Sequence, residues 1–160
     1  MSRLVSIFLA VFLSAAAATA GTSVRLVRFE TDINAATAKR VVEAIDAADA
    51  AGDALLLIEL DTPGGSVDTT GTLVKKMLAA KTPIAVWVGP SGSRAASGGF
   101  YLLIAADVAA MAPGTRTGAA AVIFGMGKSE EGDVLLKKAT NDLAALARSI
   151  AEHRGRSVEA

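Results

Sequence analysis

Apolar residues along the chain form short continuous runs that alternate with longer stretches of helical periodicity. Runs of strand length occupy Val24 to Phe29, Ala54 to Leu60 and Ile84 to Val88. The second run, ALLLIEL, has almost no polar break, which is typical of a parallel strand covered on both faces. Between the runs, the spacing of apolar residues predicts one helix over Asn34 to Ala51 and another over Val67 to Ala80.

The second half of the chain continues this alternation. Phe100 to Ala106 is predicted as a buried helix, Val108 to Ala112 as a strand and Val134 to His153 as a long helix. The helical period assigns core-facing positions to Val67, Val74, Met77 and Leu78 in the second helix and to Ala139, Leu143, Leu146 and Ile150 in the last. The whole order predicts an α/β fold with a mostly parallel β-sheet and right-handed crossover helices. The loops that follow the carboxyl ends of such strands share one edge of the sheet, where ligands bind. Gly64, Gly65 and Ser97, which stand in loops of this kind, are therefore predicted to be neighbours.

Residues 1–20 have the three parts of a secretory signal. Arg3 precedes an apolar run from Leu4 to Leu13, and small residues follow as far as Ala20. The apolar run is shorter than the roughly 20 residues that a membrane-spanning helix needs. We therefore expect cleavage after Ala20, export to a periplasmic or other extracytoplasmic location, and one domain over residues 21–160.

Composition excludes several classes of function. The 160 residues include 16 basic and 16 acidic side chains with no basic stripe, which argues against nucleic-acid binding. The chain has no cysteine, which excludes disulfides, thiolate metal sites and cysteine catalysis. A single histidine cannot build a zinc site from several imidazoles. We accordingly expect neither a metal nor a cofactor.

The loop from Gly89 to Gly99, GPSGSRAASGG, presents a serine in a way that suits a nucleophile. Ser97 falls at the first turn of a predicted helix, where unpaired N–H groups and the positive end of the helix dipole stabilise an anion. Serine and glycine before a helix are also ordinary capping and turn residues. A second glycine loop, DTPGG, favours catalysis, because the N–H of Gly64 or Gly65 together with that of Gly98 would supply two oxyanion donors.

The residues alone leave the general base open among three side chains. His153 lies among charged residues at the end of a predicted helix, where an exposed imidazole that complements the helix dipole is a better explanation than a catalytic base. Lys138 borders the buried face of the same helix, but a lysine acts as a base only where apolar surroundings lower its pKa. Otherwise it is a solvated residue paired with Asp142. Lys137 is equally basic and equally near.

Four segments, LDTPGG, PSGSRAASGG, ADVAAMAPGTRTGAA and KATNDLAALARSIAEHRGR, closely resemble in this order the NfeD family of membrane-bound serine proteases. The resemblance implies the ClpP/crotonase fold, also found in signal peptide peptidase A and ClpP. It implies a Ser-Lys dyad of Ser97 and Lys138, with Gly64, Gly65 and Gly98 around the oxyanion. It further implies ATP-independent cleavage of apolar segments of membrane-associated proteins, a homo-oligomer, membrane association of the full-length protein and a stomatin-like partner.

The family pattern continues past the last residue of this chain, so we expect a protease domain that is truncated at its C-terminus. Two other classes of protein could use the same features. A crotonase-like protein would bind an acyl thioester with the same two backbone donors, although export and the lack of a suitable acid disfavour it. A membrane scaffold would keep the fold without chemistry, and no serine-reactive probe would label it.

Overall fold

The computed structural model of the chain describes residues 23–120 and 130–157. The predicted secretory signal in residues 1–20 lies outside them. The described elements are, in chain order, β1 (Val24–Phe29), α1 (Ala35–Ala51), β2 (Leu55–Leu60), α2 (Val67–Leu78), β3 (Ile84–Val88), β4 (Arg94–Ala96), α3 (Gly98–Ala105), β5 (Val108–Met111), β6 (Arg116–Gly118) and α4 (Glu130–His153).

The main sheet is parallel, with the strand order β1, β2, β3, β5. Side chains of β2 alternate between the two faces, so Leu56, Ile58 and Leu60 are fully buried while their neighbours are half-buried. The buried side chains join one apolar core with residues of α1, α2 and α3. The prediction that β2 is covered on both faces is therefore wrong within the described residues, because these three helices pack against one face.

Helices α1 and α2 begin at capping residues. Asn34 precedes α1, and its side chain accepts hydrogen bonds from the amides of Ala36 and Thr37. Ser66 precedes α2 and accepts from the amide of Thr69. Such caps satisfy N–H groups that have no partner within the helix. Because Ser66 follows the glycine pair directly, the start of α2 fixes the end of the DTPGG loop.

Two short strands that the sequence did not predict assemble at the carboxyl edge of the sheet. β4 pairs in parallel with β6, with Ala95 opposite Thr117, and an isolated bridge joins Ala95 to Thr62. Three loop segments therefore meet in one small layer immediately before α3. Neither three-residue strand has the apolar alternation of a longer strand, so periodicity could not reveal them.

The long helix α4 begins at Glu130, four residues before its predicted start at Val134. Leu143 and Ile150 are buried against the core as predicted, whereas Val134, Leu135 and Leu136 are exposed. Within the described ranges, no helix is both long enough and apolar enough to cross a bilayer.

Candidate active site

Ser97 has a backbone conformation that residues other than glycine rarely adopt. Its φ is 52° and its ψ is −117°, at the junction between β4 and α3. The amide of Ser97 donates to the carbonyl oxygen of Gly118 at 2.8 Å, which holds this turn to β6. Its side chain makes no capping hydrogen bond to α3. Strain of this kind costs about 1–3 kcal/mol and is concentrated at functional sites, so the turn displays a hydroxyl at a cost to stability.

Relief of this strain is measurable. Glycine tolerates a positive φ, so Ser97→Gly is expected to have a free energy of unfolding about 1 kcal/mol above that of Ser97→Ala in urea titrations. The same pair of substitutions at Ser91, an exposed serine without a positive φ, should favour alanine because glycine costs more backbone entropy. A Ser97→Ala variant as stable as Ser97→Gly would contradict the strained turn.

Gly64 packs directly against the serine. A Cβ built on Gly64 would lie 2.5 Å from Cβ of Ser97 and 2.9 Å from the amide nitrogen of Gly98. The φ of Gly64 is 98°, which also favours glycine. The predicted meeting of the two glycine-bearing loops is therefore confirmed, and the space beside the serine depends on a missing side chain.

The backbone donors around Ser97 differ in their hydrogen bonding. The amide of Gly64 donates to Oγ1 of Thr62 at 3.1 Å. The amides of Gly65 and Gly98 have no acceptor among the described residues. Of the alternatives left open by the sequence, Gly65 and Gly98 thus offer the free N–H groups, and Gly64 supplies the space. Binding of an oxyanion by these groups stays a prediction.

Thr62 connects the segments of the small layer that contains β4 and β6. Its role was not predicted from the sequence. This buried residue donates from Oγ1 to the carbonyl oxygen of Thr31 at 2.6 Å. Its amide donates to the carbonyl oxygen of Arg94 at 2.7 Å, and its own carbonyl oxygen accepts from the amide of Ala96 at 3.1 Å. The only signal in the sequence is a threonine one position before the Pro-Gly-Gly of the loop, which is compatible with an ordinary turn.

A cavity of about 430 Å³ opens beside Ser97. Most of its wall is apolar, with Leu143 and Leu146 contributed by α4. Val67 also lines it and is 51% exposed, so the prediction that Val67 faces the core is wrong. The complete lining is Pro63, Gly65, Val67, Thr70, Ala96, Ser97, Gly98, Tyr101, Ala119, Ala120, Leu143 and Leu146.

Among the described lining residues, only Tyr101 can titrate, and it is not a suitable general base. Burial raises the pKa of its phenol. The hydroxyl donates to the carbonyl oxygen of Leu143 at 3.3 Å, which joins α3 to α4. The described lining holds no carboxylate, imidazole or amine. Nor, in the described ranges, do three His, Cys, Asp or Glu side chains gather as a metal site would require.

The candidate bases all lie on α4, outside the cavity lining. Lys138 and Lys137 are exposed, five and six residues before Leu143. His153 is exposed on the last turn, next to Arg154, whose Nε donates to the carbonyl oxygen of Ala105. Ala105 ends α3, so His153 lies toward the end of that helix opposite Ser97, about 12 Å along the axis. Ser97 thus lies near the three glycines at the cavity, whereas Lys138 is exposed and is not among the described lining residues.

Comparison with known proteins shows which family and which proteins this chain resembles. The family described as NfeD1b, N-terminal domain, matches residues 23–159. The chain is 38% identical over 104 residues to the membrane-bound protease PH1510 of Pyrococcus horikoshii and 35% identical over 86 residues to the membrane protein NfeD1b of Bacillus subtilis. These matches cover 64% and 54% of this chain but 23% and 19% of the relatives, so the chain spans about a fifth of their length.

Solved structures confirm the predicted fold. The 1510-N membrane-bound stomatin-specific protease S97A mutant superposes with a TM-score of 0.78 at 30% identity, covering 87% of this chain and 67% of that one. The K138A mutant of the same protease, in complex with a substrate peptide, gives 0.75 at 31% identity, covering 87% and 64%. The ClpP catalytic domain of Plasmodium falciparum gives 0.60 at 18% identity, covering 84% and 69%, a likeness of fold alone.

Proposed function

Because the chain belongs to the family of NfeD1b N-terminal domains, we propose that it is the protease domain of a serine endopeptidase that cleaves apolar peptide segments without ATP. One observation carries this proposal. Ser97 stands on a strained turn beside two unpaired backbone N–H groups, those of Gly65 and Gly98, at the mouth of an apolar cavity. A nucleophile, an oxyanion site and an apolar binding surface are the parts that acyl transfer to serine needs.

The proposed reaction proceeds in two halves. Oγ of Ser97 attacks the peptide carbonyl carbon while its proton passes to the neutral amine of Lys138, and the carbonyl oxygen becomes an anion that accepts from Gly65 and Gly98. The C–N bond then breaks, and the Lys138 ammonium returns the proton to the leaving amine. Water attacks the acyl-enzyme with Lys138 again as base, which releases the carboxylic acid and restores the Ser97 hydroxyl.

Two observations favour Lys138 over the other candidate bases. The described cavity lining offers no base of its own, and His153 lies toward the wrong end of α3. Among the solved relatives are a serine-to-alanine and a lysine-to-alanine mutant, and the second holds a substrate peptide. Since Lys138 is exposed, the mechanism requires the bound peptide to exclude water from around its amine, because desolvation disfavours the charged form of an amine.

The proposed substrate class rests on the apolar residues of the cavity wall and on the names of the relatives. Val67, Leu143 and Leu146 offer apolar surface to a side chain next to the cleaved bond. PH1510 is named membrane-bound, and its solved domain is named stomatin-specific. We therefore infer that the full-length protein acts at a membrane, outside the cytoplasm, on a stomatin-like or other membrane protein, and that it works as a homo-oligomer.

Cleavage of a defined peptide tests this function. An internally quenched fluorescent peptide of leucine, valine and alanine should be cleaved by the chain, whereas Ser97→Ala should reduce turnover to background. Ser91→Ala, which removes an exposed serine, is the matched control and should retain full activity. A peptide with aspartate at the apolar positions should be cleaved at least about tenfold more slowly, because it would place a charge in an apolar cavity. Undiminished cleavage by Ser97→Ala would reject the proposal.

A further inference from the structure

The chain that follows α4 places two arginine side chains against the end of α3 that is remote from Ser97. Together they donate to three consecutive carbonyl oxygens, those of Ile104, Ala105 and Ala106, at 2.7–2.8 Å. Arg154 also forms an ion pair with Asp107, and its side chain is only 14% exposed. We refer to Arg154 and Arg156 as the arginine pair. Their contacts are specific, because each of these is a hydrogen bond to the end of α3 or to one of the two residues that follow it.

The contacts of the arginine pair are explained by the unpaired carbonyl groups at the end of α3. The last carbonyl groups of a helix have no partner within it and carry partial negative charge, so guanidinium groups stabilise them. Gly155 has a φ of 64°, the amide of Arg156 donates to the carbonyl oxygen of Ala151 at 2.8 Å, and the amide of Gly155 donates to that of Glu152 at 3.1 Å. This is a Schellman motif, and it turns the chain so that both arginines face α3.

Helix α4 is consequently held to α3 at two separated points. One is the arginine pair, and the other is the hydrogen bond from Tyr101 to the carbonyl oxygen of Leu143. Lys138 lies five residues before Leu143, which is about 8 Å along the helix axis. A rotation of about 10° around Leu143 would therefore move Lys138 by about 1 Å. The arginine pair adds hydrogen bonds near the other end of α4, where Ile150 is also buried in the core, and these contacts oppose such a rotation.

We propose that the arginine pair consists of positioning residues, which set the orientation of α4 and with it the distance from the Lys138 amine to Ser97. This inference rests on the proposed function, because it takes Lys138 as the base. The arginines contact the end of α3 that is remote from Ser97. They act through the helix that carries the base, and a displacement of about 1 Å at a reacting group can cost about 100-fold in rate.

Substitutions of the arginine pair test its effect on turnover. Arg156→Met keeps the apolar stem and removes two hydrogen bonds to carbonyl oxygens, whereas Arg156→Lys keeps the charge but cannot reproduce the planar fork. Below the unfolding transition, Arg156→Met is expected to lower kcat about 10- to 100-fold with a smaller change in KM, and Arg156→Lys to lie between it and the unchanged chain. Arg148→Met, at an exposed arginine of α4, is the matched control and should leave kcat unchanged.

A second measurement follows the helix itself. The chain has no cysteine, so exposed Lys39 on α1 and Lys137 on α4 can be changed to cysteine and spin-labelled as a unique pair. Electron paramagnetic resonance should give a distance distribution that is displaced or broadened by Arg156→Met and unaffected by Arg148→Met. This readout does not depend on activity.

The two measurements separate the possible failures. Folded Arg156 variants with full kcat, a fall in kcat without any change in the spin-label distance, or a lowered Tm as the sole effect would each overturn the positioning role. If Arg156→Met does not fold, Arg156→Lys provides the same comparison. Retained cleavage in Lys138→Ala would instead reject the proposed base, and the spin-label distances would still show whether the arginine pair orients α4.

Discussion

Replacing Lys138 by alanine is expected to lower kcat for an apolar peptide by about 10⁴-fold, because a nucleophile and its base fail as a unit. The exposed position of the side chain predicts almost no change in Tm. Initial rates of peptide cleavage and thermal unfolding curves of the two chains measure these two quantities.

Two neighbouring substitutions control for this result. Lys137→Ala removes an equally exposed amine one residue away, and His153→Ala removes the only imidazole of the chain. Both variants should retain activity within about twofold. Normal turnover in Lys138→Ala, combined with its loss in His153→Ala, would replace the Ser-Lys dyad with a Ser-His mechanism.

A methyl group on Gly64 should be almost as damaging to activity as loss of the base. The new Cβ would lie 2.5 Å from Cβ of Ser97 and 2.8 Å from the carbonyl oxygen of Ala96, so the nucleophile turn would have to move. We expect Gly64→Ala to lower kcat at least about 100-fold, since a shift of about 1 Å misaligns the hydroxyl and the donors. Overpacking and an unfavourable φ should together lower the free energy of unfolding by about 2–4 kcal/mol.

Gly92 provides a closely matched control for this substitution. Its φ is 95°, against 98° at Gly64, yet a Cβ on Gly92 would meet no atom within 4 Å. Gly92→Ala therefore carries the backbone strain alone and should lose about 1 kcal/mol of stability with unchanged kcat. Urea titration and peptide cleavage on both variants separate the two effects. Equal loss of kcat in the two variants would show that contact with Ser97 is not the cause.

The main helices and strands could be predicted from the sequence because long elements have strong periodic patterns of apolar residues. β1 and β3 have the predicted bounds, and α1 and α3 begin one residue and two residues from their predicted starts. The meeting of Gly64 with Ser97 also followed, since parallel strands deliver their loops to one edge. These features depend on patterns that repeat over several residues.

The details that decide the chemistry are set by single contacts, and no pattern reveals those. The amide of Gly64 is occupied by Thr62, which leaves the unpaired N–H to Gly65. Val67 lies at a core-facing position of the helical repeat, yet it lines the cavity because α2 begins at the rim of the site. The proposed role of Lys138 requires a bound peptide to change its surroundings, and neither periodicity nor residue type can express that requirement.

The Ser-Lys mechanism is tested most directly by labelling of the intact chain with a fluorophosphonate, followed by mass-spectrometric mapping of the modified residue. Attack on this reagent requires an activated serine hydroxyl, so one adduct is expected, on Ser97, formed at least about 100-fold faster than in Lys138→Ala. Absence of an adduct, or equal rates of labelling in the two chains, would contradict a Ser97 nucleophile activated by Lys138.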